Sequence, residues 1–119
     1  MLYASGQGSF FGEHRIEGKV GRDVTLEDAR LGARYCMLNT LAVLEEYLGD
    51  LNRIQRVVKL LAFVSSDDGF YQQPAVVNGA SQLLLDLWGE QGRHARSAIA
   101  VNTLPSNLSV EIEAIFTLK

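Results

Sequence analysis

The sequence predicts an α+β fold in which a mixed sheet carries two helices on one face. Three observations predict it. Two stretches carry apolar residues at helical spacing between recognisable cap signals, a run of β-branched and aromatic residues separates them, and two further strand-like segments follow the second helix with no helix between them. The 119 residues suit a single domain, 1–119, able to bury its own core. With 47% apolar and 21% charged residues, a disordered or fibrous chain is excluded.

The opening Met1–Gly6 reads as a short strand. Gly8, Gly12, Gly18 and Gly21 punctuate an excursion from Gln7 to Asp23 that reads as a loop or ragged hairpin, in which Ile16–Val20 is a weak second strand. Thr25-Leu26-Glu27-Asp28 places a hydroxyl three residues before a carboxylate, the signature of a helix start. Leu26, Ala29, Ala33, Met37, Leu41, Leu44 and Leu48 then form one stripe, and Gly49 suits a C-terminal cap. Val57–Val64 is apolar on both alternating faces except at Lys59, as a central strand would be. Pro74 fits the first turn of a second helix reaching Trp88, with Val77, Leu84, Leu87 and Trp88 inward. Gly89 and Gly92 break the chain, and strands follow at His94–Asn102 and Val110–Leu118; spacing alone would make them a hairpin.

Right-handed strand-helix-strand crossovers put both helices on the same face of the sheet. The other face is left bare. Strict alternation puts Val58, Leu60, Ala62 and Val64 on one side of the central strand and Val57, Leu61 and Phe63 on the other, so neither side suits water. A bare apolar face marks an interface, and a homo-oligomer is expected.

The totals also narrow function. A net charge of −3 gives no general attraction to nucleic acid or to anionic membrane, and no apolar run reaches the roughly 18 residues of a membrane span. Arg53, Arg56 and Lys59, the one local basic cluster, read as a solvated helix end. The N-terminus lacks the basic segment of a secretion signal, and a cytoplasmic location is expected. The single cysteine, Cys36, sits mid-helix among apolar residues and reads as a buried thiol rather than a nucleophile. One cysteine and two distant histidines give no familiar metal-ligand spacing, so no metal or cofactor is expected. The chemistry concentrates near the C-terminus: Arg96 and Glu111 each sit in an apolar strand. Such a pair is either a structural ion pair, Arg96 with Glu111 or Glu113, or the polar end of a pocket for a carboxylate or phosphate.

Several spaced phrases carry a resemblance across the whole chain: Ser5-Gly6-Gln7 after the opening strand, Leu38-Asn39-Thr40-Leu41 in the first helix, and Gly49-Asp50-Leu51-Asn52-Arg53-Ile54 before Val57. Ala95-Arg96-Ser97, Leu104-Pro105 and Val110-Glu111-Ile112-Glu113-Ala114 continue it. Together they resemble the RidA/YjgF family. Val76–Ser81 and Gly92–Ala98 are closest to its chorismate-mutase-like, YjgF-type endoribonuclease-like branch. The resemblance implies a chorismate-mutase-like fold and a homotrimer with a central β-barrel, outer helices and ligand clefts between subunits. It also implies a last strand inserted between the first and the central one.

For function, the resemblance implies hydrolysis of reactive enamines and imines, the 2-imino acids, to 2-keto acids and ammonia, without metal or cofactor. Arg96 would clamp the substrate carboxylate and Glu111 would handle the attacking water. Ser5, Gly6 and the backbone near Ala98 would line the cleft, and Asn78 would correspond to a nearby amide. A ribonuclease reading has no basic groove to support it. Active members carry a cleft-covering tyrosine ahead of the Ser-Gly-Gln strand, and here only four residues precede Ser5, so a shortened N-terminal strand region is expected. A cysteine often found two residues after the arginine is Ala98, and a proline two before it is His94, which reads as a rim residue. The alternative to an enzyme is a non-catalytic trimer that binds a small carboxylate, or a partner, in the same clefts.

Overall fold

A computed structural model describes residues 1–119. Strand β1 (Leu2–Gly8) is followed by a two-residue ribbon, β2 (Phe10–Phe11) and β3 (His14–Arg15), then helix α1 (Leu26–Leu48). Strand β4 (Ile54–Ser65), helix α2 (Gln73–Trp88), β5 (Ala95–Val101) and β6 (Val110–Leu118) complete the chain. The main sheet has the order β1-β6-β4-β5, with β5 parallel to β4 and β6 antiparallel to both its neighbours.

The chain ends of α1 follow its sequence signals. Thr25 adopts an extended backbone and its Oγ1 accepts from the Asp28 amide at 3.1 Å. Glu27 and Asp28 place negative charge on the positive end of the helix dipole. Gly49 ends the helix at φ 82°, a left-handed conformation that favours glycine. Both helices bury one stripe against the same sheet face, and Gly79 marks their closest approach: a Cβ there would overlap the Arg30 carbonyl oxygen. On α2 the inner residues are Val76, Val77, Ala80, Leu83 and Leu84. Leu87, assigned inward from the sequence, is 51% exposed, while Trp88 beside it packs against the core.

Four further expectations are corrected. Ile16–Val20 forms no strand; isolated bridges from Glu17 and Val20 and hydrogen bonds of Ile16 and Gly18 with Ser9 and Ser109 tie it down, and the ribbon lies earlier, at Phe10–Arg15. Its tight turn has Gly12 at φ 59° in the first central position, so the hairpin reading of this excursion holds, at an earlier place than Ile16–Val20. The face assignment of the central strand is wrong at one end. A register shift between Val57 and Lys59 inserts an extra residue, so Val57 joins Leu60, Ala62 and Val64 under the helices while Leu61 and Phe63 face away. Third, the last two strands form no hairpin: they lie on opposite sides of β4, and β6 enters between β1 and β4, as the resemblance implied. Val110, Ile112, Ala114 and Phe116 are almost completely buried, which suits a strand paired along both edges. The short β5, bearing Arg96, takes the edge. The basic cluster is no helix end either: only Arg53 reaches one, donating to the Leu48 carbonyl, while Arg56 and Lys59 lie on β4.

The face opposite the helices is uncovered. Tyr3 on β1 is 73% exposed and Ile99 on β5 46% exposed, with Leu61, Phe63 and Ile115 only partly shielded between them. No helix is long and apolar enough to cross a membrane.

Candidate functional site

The residues singled out from the sequence gather into two groups. The first is built on β1 and β6. Between Ala4 and Gln7 the register of β1 against β6 slips by one residue, so Ser5 and Gly6 form a bulge at which the strand bends. Glu111 enters from β6 and lays its carboxylate over that bulge. A Cβ added to Gly6 would lie 2.8 Å from Glu111 Oε2, so glycine is what allows the carboxylate to rest there. Ser5 is exposed beside it, and a depression on the bare sheet face runs on past Tyr3, Lys59, Leu61 and Glu113. Glu113 shares this face with Glu111 but stands in solvent.

The second group lies at the β5 edge against α2. Arg96 pairs in register with Leu60 and therefore points to the helix side, where Nη1 donates to Ser81 Oγ at 3.1 Å. Ser81 Oγ is 2.8 Å from His94 Nε2, and His94 Nδ1 is 2.7 Å from the Gly92 carbonyl oxygen. Since that carbonyl can only accept, Nδ1 carries the proton and Nε2 is the acceptor for the serine hydroxyl. Burial lowers the His94 pKa from its usual value, with the Arg96 charge acting the same way and the Gly92 bond opposing both. The imidazole is thereby favoured in its neutral form. Asn78, exposed one turn earlier on α2, stands on the rim of the shallow pocket formed by Ser81, Leu85, Arg93, His94 and Arg96. The Ala98 side chain packs on the core, leaving its backbone at the free edge of β5 as the part a ligand could reach.

Within one chain the two groups do not meet. Arg96 is level with Leu60 and Glu111 with Phe63, on strands flanking β4 and on opposite sheet faces. Strand spacing and rise put their Cα atoms about 14 Å apart. The ion pairs are Arg15–Glu17, Arg22–Asp23 and Arg93–Glu90, all exposed, so the ion pair of Arg96 with Glu111 or Glu113 weighed from the sequence does not form. Cys36 is buried, its Sγ 3.5 Å from the Val110 carbonyl. Burial, and secondarily the Glu111 charge, pushes the thiol far above its ordinary range, which leaves it no nucleophilic role. No group of three potential ligands could hold a metal ion.

Sequence reasoning missed Ser81. A serine inside a helix at i+3 from Asn78 carries no signal until the fold brings β5 beside α2.

A mixed sheet with two helices on one face, the last strand inserted beside the first, and polar groups at a bulge and at the sheet edge define a chorismate-mutase-like α+β protein. The chain belongs to the family described as YjgF/chorismate mutase-like, putative endoribonuclease, whose model matches residues 1–117. It is 43% identical over 104 residues to protein TCP17 of Trypanosoma cruzi, an alignment covering 87% of this chain and 65% of that protein's length. Among solved structures it is similar to a protein of unknown function from Agrobacterium tumefaciens, with 46% identity and a TM-score of 0.94, covering 98% of this chain and 75% of that one. A protein from Shewanella oneidensis described as a putative endoribonuclease gives 29% identity and a TM-score of 0.93, covering 98% and 78% of the two chains.

Proposed function

We propose that the protein hydrolyses small reactive 2-imino acids, or the enamines in equilibrium with them, to 2-keto acids and ammonia in clefts between the subunits of a cytoplasmic homotrimer. Family membership supports a small-molecule-processing or regulatory role. The observation that carries the sharper reading is Arg96. It is a half-buried guanidinium on a sheet edge whose one side-chain bond is to a neutral hydroxyl, so its other donors can receive a carboxylate in a two-pronged pair.

In the trimer the bare faces close into a central barrel, and the β5 edge of one subunit comes against the β1–β6 bulge of the next, so that Arg96 and Glu111 face one cleft. Arg96 holds the substrate carboxylate and fixes C2 in front of Glu111. Glu111 accepts a proton as the oxygen of a water molecule bonds to C2 of the protonated imine, and the C=N π electrons move to nitrogen. Nitrogen of the resulting amino alcohol takes up the proton held by Glu111, and the C–N bond breaks with its electron pair going to nitrogen, which leaves as ammonia. The hydroxyl proton returns to the Glu111 carboxylate as the C=O bond forms and passes from there to water or to the departing ammonia, and the 2-keto acid remains. Ser5, Gly6, Asn78 and the backbone at Ala98 shape the cleft. None of these steps calls for a metal or cofactor.

The test is to generate 2-iminopropanoate in situ and follow its decay. Acceleration by the wild-type protein that is lost in Arg96→Ala is the expected result. No acceleration by wild type overturns the deaminase reading. Stabilisation of the fold by pyruvate, lost in Arg96→Ala, would then favour the non-catalytic carboxylate-binding trimer, a reading that Ala98 suits by offering no thiol.

A further inference from the structure

Arg96, Ser81, His94 and Gly92 form a chain of hydrogen bonds whose direction is fixed at both ends. The guanidinium has donors only, and the Gly92 carbonyl accepts only. Between them the serine hydroxyl must accept from Arg96 and donate to His94 Nε2, and the imidazole must carry its proton on Nδ1. No member has a free choice of orientation. A long arginine side chain at a sheet edge ordinarily samples many rotamers, and immobilising it costs binding free energy when a ligand arrives. Here that ordering is already done by neighbours from a different element.

We infer that Ser81 and His94 are positioning residues for Arg96: the hydroxyl of α2 fixes Nη1, the imidazole fixes the hydroxyl, and the guanidinium is held with its remaining donors turned to a small carboxylate. Its ligand part rests on the reading of Arg96 as the carboxylate clamp. The arrangement is neutral apart from Arg96 itself. Arg93, three residues earlier, is paired with Glu90, so Arg96 is the pocket's one arginine without a carboxylate partner. Ser81 works through Arg96 and need not touch substrate. Its position explains why a helix-interior serine points inward at this point of α2 while its neighbour Gln82 reaches along the helix to Asp86.

Two measurements on the full-length protein test this. In the first, ¹⁵N NMR of the His94 ring and of the Arg96 Nη–H groups is recorded for wild type and Ser81→Ala, a change that suits a helix. The expected spectra show His94 protonated on Nδ1, and Arg96 Nη–H exchange that speeds up in the variant. In the second, pyruvate affinity is measured by calorimetry. Ser81→Ala and His94→Leu should weaken it about fivefold to tenfold, the effect of one ordinary hydrogen bond. Ser81→Thr and His94→Gln, which keep a hydroxyl and an acceptor, should restore it to within about twofold of wild type, which a merely structural role for either position would not produce. Unchanged affinity in Ser81→Ala, with loss in Arg96→Ala, overturns the proposal and leaves the carboxylate clamp standing. If wild type binds no pyruvate, the clamp reading is what fails. The NMR arm then decides the positioning claim alone: Arg96 exchange indifferent to Ser81→Ala overturns it.

Discussion

Gly6 and Glu111 show how closely a single residue can set a candidate site. The glycine lies at a bulge, and the 2.8 Å from its missing Cβ to Glu111 Oε2 leaves no room for a methyl group. Gly6→Ala is therefore expected to push the carboxylate aside while the distant core stays intact, with imine-hydrolysis activity falling by about 10²-fold, as misplacement of a reacting group by an ångström does. Enzyme assay and circular dichroism on the same sample check both halves. His94 gives a pH dependence. Its folded pKa is lowered from 6.5, so the folded state resists protonation more than the unfolded chain does. The neighbouring charges are Arg96 and the paired Arg93 and Glu90, with Ser81 and Asn78 of α2 neutral. Stability is then undiminished by His94 above about pH 6.5 and declines as pH falls through that value toward the lower folded pKa. Thermal melting at pH 7 and pH 5 should show a smaller acid-side loss for His94→Gln than for wild type. Equal losses would remove His94 from the acid response.

At the level of elements, the two helices meet where Gly79 lets α2 approach the Arg30 carbonyl. Gly79→Ala is expected to destabilise the fold by about 1–3 kcal/mol through overpacking, although alanine favours an isolated helix; urea denaturation gives the sign. The elements that the sequence made legible are those whose signals are local. Thr25 and Gly49 delimit α1 through hydrogen bonds spanning three or four residues, as their pattern implied, with Asp28 contributing its amide rather than its carboxylate. Pairing across the chain was not legible in the same way. Spacing between β5 and β6 suggests a hairpin, whereas the buried run Val110–Phe116 is better paired along both edges, and only the family resemblance anticipated its insertion. One extra residue near Val58 turned Val57 to the helix side, because a bulge shifts every face assignment beyond it and leaves no mark in composition. Arg96, Glu111 and Gly6 were visible as polar or flexible residues in apolar strands. Ser81 was not, since its meaning comes from a strand that arrives beside α2 after Gly92.

For the whole molecule, the proposed trimer is tested at the bare sheet face and at the divided site. Leu61, Phe63 and Ile99 share the uncovered face, and a charge placed among them, as in Leu61→Asp, is expected to convert a trimer into monomers with the secondary structure retained. Light scattering with size-exclusion chromatography reads that change. Arg96 and Glu111 lie on opposite faces of one sheet, so a shared cleft requires that they come from different subunits. Subunit complementation tests this most directly. Arg96→Ala and Glu111→Gln are each expected to be inactive on 2-iminopropanoate. Mixed one to one and allowed to exchange subunits, they should regain roughly a quarter of wild-type activity, because three-fold symmetry gives every mixed trimer one cleft with both residues intact. Persistent inactivity of the exchanged mixture, with trimers intact, would contradict a cleft shared between subunits.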